Sequence, residues 1–382
     1  MKRRKQYLLI GLGLLILCCV LVGTMIGAQH PGQSLNTKQT QALGTTILIG
    51  AQGDDAQAAL TTAAKEIERL DALFAYDGDG DIARLNAEKS ITADADTIAL
   101  LKRAKEISAD TGGTYSCTAA PLTDAWRLAL SADREPSAEE LQALAKNVDD
   151  SKIAIDGDTV TIPENVRVNV NSIARGYIAD CIEKIFSDYN LERAFVNLDI
   201  DKARFADGDA GLLEGGGVDT FAQNERGDAW TINIPNPADT DRVIANYSTY
   251  NESVFNAGLY QQTVTANGRS KRLILDPRNG QIADSGLASV TVVSEDSTLA
   301  AALSEALYVM GREDGLAFWD NHRIDFDAIF INNTGRATPT GRDITITAGI
   351  YQNDGESFSL VEDPGGKEPL TKASDKRAMR VI

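Results

Sequence analysis

The sequence is poor in histidine and cysteine, the residues from which many catalytic and structural sites are made. Its 382 residues include two histidines and four cysteines. Cys18 and Cys19 lie in an apolar run, which leaves Cys117 and Cys181 for the remainder of the chain. Two cysteines do not make a disulfide-built scaffold. A nucleophilic site that depends on histidine as its base lacks parts here.

Basic charge is also scarce relative to acidic charge. The chain has 37 Lys and Arg residues against 55 Asp and Glu, a formal net charge of -18 at pH 7. Nucleic-acid binding needs a basic face, and this balance argues against it. It also argues against broad adhesion of the folded part to anionic lipid. The length allows one large domain, or two ordinary ones, with a sizeable core.

The N-terminus is the one region with a long uncharged run. Four basic residues, Lys2 to Lys5, precede a stretch from Tyr7 to Ala28 that is long enough to span a bilayer. We predict that residues 1–28 are a transmembrane anchor, with a cleaved signal peptide as the alternative. Basic residues ahead of the span favour a cytoplasmic N-terminus, so the rest of the protein is expected on the extracytoplasmic side. Residues 29–40 are predicted to be a polar tether.

Mixed helical and strand patterns without regular βαβ spacing predict an α+β fold, a single large domain over residues 41–350. Apolar residues at helical spacing predict helices over 54–75, 97–109, 173–186 and 297–311, the last ending at Gly311. Strands are predicted for "ALGTTILIG", "KIAI", "TVTI", "RAFVNL", "AWTINIP", "RLILD", "ASVTVVS", "FDAIFI" and "DITIT". Residues 201–228, rich in Gly and Asp, are expected to form a long loop. Residues 351–382 are expected to be a flexible tail.

Eight stretches in order carry a family resemblance. They are "ALGTTILI", "DALFAYDGDGDIARLN", "TGGTYSCTAAPLTDAW", "VRVNVNSIARGYIAD", "RAFVNL", "AWTINIPNP", "RLILDPRNG" and "ASVTVVSEDSTLAAALSEALYVMG". Together they resemble the FAD:protein FMN transferase family (ApbE type) over residues 41–347. The resemblance implies an extracytoplasmic, magnesium-dependent enzyme that splits FAD, releases AMP and attaches FMN to a threonine or serine of a target flavoprotein. The implied partners are FAD and an acceptor flavoprotein of a membrane or exported redox system.

The resemblance also implies site positions. The flavin positions fall on Leu43, Tyr76, Asn86, Tyr115, Ser116, Thr118, Asn169, Arg175 and Leu273. Several of these depart from the family pattern: a methionine has become Leu43, a histidine has become Leu273, and a lysine has become Arg175. Two aspartates of that pattern have become Ser116 and Asn169.

The implied metal positions are Ser172, Ala301 and Glu305. The family has Asp and Thr four residues apart on the last helix, both ligands of Mg²⁺, where this chain has Ala301 and Glu305. Ser172 falls where the family offers a backbone carbonyl, which any residue type supplies. Alanine offers no side-chain oxygen, whereas glutamate is a hard oxygen ligand of the kind that Mg²⁺ accepts. We hypothesise that Glu305 reaches a metal from the neighbouring turn and partly replaces the lost aspartate.

These substitutions leave three functional hypotheses open. The first is a divergent FMN transferase with a rebuilt metal site. The second is a pseudoenzyme of the same fold that serves as a flavin-binding or assembly module, and the third is an anchored interaction domain. Two residues also have structural interpretations: Asn86 as a helix cap and Arg175 as a solvated residue early in a helix, where its charge opposes the helix dipole. No catalytic residue is assigned from the sequence.

Overall fold

In the computed structural model of the chain, the described residues are 35–198, 212–214, 217–221, 230–237, 239–249, 251–258, 263–266, 269–322, 325–340, 344–346, 350–353 and 358–362. The predicted anchor, residues 1–28, lies outside these ranges. Within them, no helix combines the length and the apolar character needed to cross a membrane.

Seven helices occur in the described ranges. They are α1 (Ala56–Phe74), α2 (Asp81–Glu88), α3 (Ala95–Asp110), α4 (Ala120–Ser131), α5 (Ala138–Ala145), α6 (Asn171–Ser187) and α7 (Ser297–Asn321). A short 3₁₀ helix covers Asp150–Lys152. The helices predicted over 54–75, 97–109 and 173–186 correspond to α1, α3 and α6, with ends that differ by one or two residues.

The central sheet has eight strands, and every pair of neighbours in it is antiparallel. In spatial order these strands are β1 (Asn36–Ala42), β2 (Thr45–Gln52), β6 (Arg193–Asn197), β8 (Gly217–Phe221), β11 (Ser253–Ala257), β14 (Leu287–Ser294), β15 (Asp327–Asn332) and β16 (Ala337–Pro339). A second sheet has the order β17 (Ile344–Ile346), β10 (Asp239–Thr249), β9 (Trp230–Asn236) and β7 (Leu212–Glu214).

Three smaller sheets complete the part of the fold that the structure describes. One has the order β3 (Ser90–Thr92), β5 (Thr159–Thr161) and β4 (Ala154–Asp156); the other two are hairpins, β12 (Thr263–Ala266) with β13 (Arg269–Arg272) and β18 (Ile350–Asn353) with β19 (Phe358–Glu362). The antiparallel pairing of β4 with β5 confirms the predicted hairpin around "DGD".

The central sheet separates two apolar cores, one on each face. Along β2, Ile47 and Ile49 belong to the core shared with the helices, whereas Leu48 packs with Trp230 and Ile232 of the second sheet. Side chains alternate between the two faces of a strand. Because both faces are covered, the central strands are apolar at nearly every position, which explains why "TILIG" shows no clean alternation.

Helix α6 approaches the start of α7 very closely at Gly176. A Cβ added there would lie 2.1 Å from the Ser297 carbonyl oxygen, far inside van der Waals contact. Glycine is therefore required by this helix contact. The Asp180 carboxylate, also on α6, accepts the backbone N–H groups of Ser297 and Thr298 at 2.9 and 3.0 Å. These contacts fix how the two helices cross.

Three predictions about local structure require correction. Residues 36–40, within the predicted tether, belong to β1, because their backbone pairs with residues 47–51 of β2. The predicted 201–228 loop includes β7 and β8, and β8 is a central strand held by β6 and β11. The stretch "RLILD" is not a strand as a whole: β13 ends at Arg272, and beyond it Leu275 makes a single bridge to Ile282.

Two boundaries near the C-terminus also differ from expectation. Gly311 has φ 79° and ψ 177° and interrupts α7, as predicted for a helix stop, but helical structure resumes and continues to Asn321. The described residues of the predicted tail include the β18–β19 hairpin. The flexibility of residues 351–382 stays a prediction.

Candidate functional site

One cavity of about 420 Å³ gathers most of the positions selected from the sequence. Nine of the twelve line it: Leu43, Tyr115, Ser116, Asn169, Ser172, Arg175, Leu273, Ala301 and Glu305. They come from five separate parts of the chain, so only the tertiary fold places them together. The roles assigned to them stay predictions at this stage.

Leu43 reaches the cavity through a strained hairpin turn. Leu43 and Gly44 connect β1 to β2 as a two-residue turn, with φ 53° and 72° respectively. A two-residue hairpin turn whose twist matches that of the flanking strands requires positive φ at both of its residues. Leucine is an unfavourable residue for a backbone conformation with positive φ. The Leu43 N–H donates to the Asp71 carboxylate at 2.7 Å, which helps to hold this conformation. Leu43 is buried against the core as well as lining the cavity.

The segment from Ser116 to Thr118 is held by a buried carboxylate that we did not select from the sequence. Asp150 is 3% exposed. It accepts the Cys117 N–H at 3.0 Å, the Thr118 N–H at 3.2 Å and the Thr118 hydroxyl at 2.7 Å, and it also accepts the Ser116 hydroxyl. Burial beside this carboxylate raises the pKa of the Cys117 thiol well above its usual value. Cys117 is therefore an inert, buried residue in the free protein.

The first turn of α6 forms a second wall. The Asn169 side-chain oxygen accepts the Asn171 N–H at 2.9 Å, and the Asn169 N–H donates to the Cys117 carbonyl at 2.8 Å. Asn169, which precedes the N-cap residue Val170, therefore accepts the first N–H of α6 and joins the helix to the Ser116 segment. Arg175, one turn into the helix, is half-buried in the cavity wall and makes no direct ion pair within the described part of the chain.

Helix α7 supplies the third wall through Ala301, Ser304 and Glu305. Ala301 is buried, and its carbonyl accepts the Ser304 hydroxyl at 2.8 Å. Burial raises the pKa of the Glu305 carboxyl, while the charge of Arg175 and the side chain of Ser172 oppose that rise. Glu305 thus faces the start of α6 across the cavity. This placement follows from the close crossing of α6 and α7 at Gly176.

The fourth wall is the segment that follows β13. Leu273, Ile274, Leu275 and Pro277 line the cavity. Asp276, in the same segment, does not line the cavity. Its carboxylate accepts hydrogen bonds from the Arg278 backbone N–H at 3.0 Å and from the Arg278 guanidinium at 2.8 and 2.9 Å. The position that carries a histidine in the family resemblance is therefore an apolar side chain in this wall.

Three of the selected residues lie away from this cavity. Thr118 is buried on Asp150. Asn86 is not a helix cap; its side chain donates to the Val168 carbonyl and accepts the Val168 N–H, both at 2.7 Å. Tyr76 donates its hydroxyl to Asp124 at 2.8 Å, and this contact and burial raise its pKa to about 12.

Tyr76 and Asn86 instead line a neighbouring cavity of about 440 Å³ with Arg167, whose guanidinium lies 5.3 Å from the Tyr76 ring centre. The Tyr76 hydroxyl and the Asn86 side-chain amide already have hydrogen-bond partners in the protein. Neither group therefore needs a flavin to complete its hydrogen bonding.

Tyr115 is the residue whose environment most clearly points to a ligand. It is 3% exposed, it lines the cavity, and its hydroxyl has no hydrogen-bond partner within the described residues. Buried polar groups without a partner are uncommon and costly. Burial also raises the pKa of this phenol well above its usual value, so it remains a hydrogen-bond donor. A ligand with an acceptor atom near this hydroxyl would satisfy it.

Other lining residues were missed in the sequence analysis. They include Thr123 and Arg127 of α4, Asn171, Phe255 and Asn256 of β11, and Ser304. Nothing in their local sequence distinguishes them, because each belongs to an ordinary helix or strand pattern. The sequence around Asp150 gave little indication of its role, because an aspartate between a helix and a strand is common in any α+β protein.

Comparisons with known proteins place the chain in a family. The sequence model of the ApbE family matches residues 43–330. The chain is 27% identical over 255 residues to the FAD:protein FMN transferase of Klebsiella pneumoniae (strain 342), covering 66% of this chain and 73% of that protein. It is 25% identical over 313 residues to the enzyme of the same name from Vibrio cholerae, covering 78% and 88%.

Solved structures share the fold. The ApbE protein of Thermotoga maritima superposes with a TM-score of 0.69 at 23% identity, covering 80% of this chain and 97% of that one. The apo form of Pseudomonas stutzeri flavinyl transferase ApbE superposes with a TM-score of 0.67 at 23% identity, covering 80% and 95%. The fold is thus the α+β fold of these ApbE structures. The chain belongs to the ApbE family, whose curated members are FAD:protein FMN transferases.

Proposed function

We propose that this protein binds FAD in the cavity between α6, α7 and the Ser116 segment and transfers its FMN half to a protein hydroxyl. The observation that supports this most is the convergence of nine separately selected positions on one cavity with a buried, unpartnered Tyr115 hydroxyl. Pockets that combine apolar walls with a few convergent polar groups are typical of cofactor and substrate sites.

In the proposed reaction, a Ser or Thr oxygen of an acceptor flavoprotein attacks the phosphorus on the FMN side of the pyrophosphate. The new P–O bond joins FMN to the acceptor, the P–O bond to the AMP phosphate breaks, and AMP leaves with the electron pair. Positive groups stabilise the charge that develops on the leaving phosphate. Arg175 is the half-buried cation in the wall, and Glu305 is the carboxylate among the described lining residues that is placed to take the hydroxyl proton.

The resemblance predicted Mg²⁺ as an additional source of charge, held at Ser172, Ala301 and Glu305. The residues present do not suit that ion. Mg²⁺ requires near-octahedral oxygen ligands, and of these three side chains Ala301 contributes none. No step of the proposed reaction is therefore assigned to a metal.

The proposed acceptor belongs to a membrane or exported redox system, and the proposed location is the extracytoplasmic side of a membrane, with residues 1–28 as the anchor. Both rest on the basic and apolar pattern of the N-terminal sequence and on the family resemblance. Fusion of a reporter enzyme that is active only outside the cytoplasm to residue 382 would test the orientation.

A second candidate function is a flavin-binding module without transferase activity. It is favoured by Ala301 and Leu273, which place apolar side chains where the family resemblance has polar ones. The test is to incubate the full-length chain with FAD and a candidate acceptor flavoprotein, and to measure both AMP and acceptor-bound flavin. Transfer would give equal amounts of each, and Glu305→Gln would bind FAD but release no AMP. FAD binding by the wild type without AMP would favour the module.

A further inference from the structure

We infer that this cavity holds the phosphates of a flavin nucleotide with the Arg175 guanidinium and takes no divalent cation. The inference rests on the proposed flavin site and specifies which residue of that site neutralises the negative charge of the bound phosphates. It departs from the Mg²⁺ dependence that the family resemblance implies.

The first reason is the scarcity of suitable ligands. Ala301 has no side-chain oxygen, and its carbonyl already accepts the Ser304 hydroxyl. Nowhere in the described ranges do three or more His, Cys, Asp or Glu side chains come together in a way that suits a metal ion. Glu305 therefore stands as a single carboxylate, so most of the oxygen ligands of a Mg²⁺ ion here would have to come from water or from the bound phosphates rather than from the protein.

The second reason is that the nearby aspartates are already engaged. Asp150 accepts hydrogen bonds from Ser116, Cys117 and Thr118 behind the wall. Asp276 is paired with Arg278, guanidinium to carboxylate at 2.8 Å. Turning either aspartate into the cavity would leave buried donors or a charged partner without an acceptor, which destabilises the fold.

The third reason is the charge of the cavity itself. Its lining carries two arginines, Arg127 and Arg175, and one carboxylate, Glu305, in a chain whose net charge is -18. Arg127 is paired with Asp124, outside the lining, at 3.9 Å, so Arg175 is the cation that faces Glu305. A guanidinium is permanently charged, so Arg175 repels a cation from the position that Glu305 faces, and it attracts a phosphate.

Arg175 is also available for a ligand. It is half-buried, and it makes no direct ion pair with any residue that the structure describes. A guanidinium presents several donors in a fixed fork that matches two phosphate oxygens. Its position in the first turns of α6 is unfavourable for a cation in an empty site, and a bound anionic group would offset that.

The experiment measures metal and flavin binding separately, with the full-length chain in mild detergent. In calorimetric titrations with Mg²⁺ alone we expect no binding. In titrations with FAD, followed by quenching of flavin fluorescence, we expect affinities in excess EDTA and in millimolar Mg²⁺ to agree within about twofold.

Variants of Arg175 and Glu305, with one control variant, test which residue binds the phosphates. Loss of a charge-assisted bidentate contact corresponds to about a tenfold or greater loss of affinity, so Arg175→Gln should weaken FAD binding by that factor, with partial rescue in Arg175→Lys. Arg134→Gln, which removes an equal charge from an exposed position between α4 and α5, outside the cavity, should leave the affinity unchanged. Glu305→Gln should bind FAD as well as the wild type or more tightly, because it removes a negative charge that faces the phosphates.

The opposite results overturn the inference. Mg²⁺ binding that disappears in Glu305→Gln, or FAD affinity that rises tenfold or more on adding Mg²⁺, would show that Glu305 holds a metal. Both results leave the proposed flavin site intact. Absence of FAD binding by the wild type in EDTA and in Mg²⁺ alike would instead remove the flavin site, and the inference with it.

Discussion

Replacing Asp150 with alanine is expected to destabilise the protein by about 3–5 kcal/mol, the range observed when a buried network of charged hydrogen bonds is broken. Asp150 is 3% exposed and serves four donors in three consecutive residues. In the variant, the Ser116 and Thr118 hydroxyls can still bond to each other, since they lie 2.9 Å apart. The Cys117 N–H loses its acceptor, which costs about 1–3 kcal/mol, and the remaining loss comes from the charged contacts.

Urea unfolding followed by tryptophan fluorescence measures this change as a shift in midpoint at constant slope. Asp150→Asn keeps the side-chain shape and one oxygen, so a smaller loss of about 1–2 kcal/mol is expected. Asp149→Asn is the matched control. Asp149 is the preceding residue, its side chain is 44% exposed, and it accepts the Ser151 N–H and hydroxyl and lies 3.9 Å from the Lys152 ammonium. Its replacement should cost under about 1 kcal/mol.

The same variants report on the cavity, because Ser116 lines it and Asp150 positions Ser116. FAD affinity should fall in Asp150→Ala even at temperatures where the protein remains folded, and should be retained in Asp149→Asn. A loss of stability below about 1 kcal/mol in Asp150→Ala, with the urea slope unchanged, would refute the reasoning, since the carboxylate would then be dispensable to the Ser116 segment.

Three further predictions concern the framework of the site. Gly176→Ala should cost about 3 kcal/mol or more by urea unfolding, because its Cβ meets the Ser297 carbonyl at 2.1 Å; wild-type stability in that variant would contradict the close helix contact. Burial raises the pKa of Asp219 well above its usual value, so the stability this group contributes is complete below its unfolded pKa near 4 and is lost as pH rises through its folded pKa. Asp219→Asn, which retains a hydrogen bond to Ser253, should therefore gain stability at pH 8 relative to wild type and little at pH 4; equal effects at both pH values would count against it. Leu43→Gly should relieve the positive-φ strain, about 1 kcal/mol, yet weaken FAD binding through the lost cavity contact, and unchanged affinity would mean that Leu43 does not touch the ligand.

Much of the fold was predictable because its strongest local patterns agree with the tertiary structure. The amphipathic spacing of α1 and the apolar run of α6 predicted helices with ends correct to within two residues. The "DGD" turn predicted the β4–β5 hairpin. Predictions failed where the local pattern is weak: β1 has a polar sequence, and its strand structure comes from pairing with β2, whereas β8 lies in a Gly-rich stretch that offers no periodic signal.

The residues of the site likewise divide into those that the sequence predicted and those that it did not. Leu43, Arg175 and Glu305 were selected from the order of motifs along the chain, and the fold brings all three to one cavity. Asp150 was not selected, because its importance lies in four contacts with a segment more than thirty residues away. Asn86 and Thr118 were selected, but their polar groups bond to Val168 and Asp150 rather than lining that cavity.

The sequence by itself determined the family, the helices α1, α3 and α6, and the loss of a side-chain oxygen at Ala301, because these depend on residue identity and local spacing. Only the tertiary structure decided that Glu305 faces Arg175 across one cavity. That juxtaposition depends on how closely α6 and α7 cross, and this in turn depends on a glycine at the contact. The relative position of charges that are distant in the sequence is set by packing geometry, which no local pattern in the chain encodes.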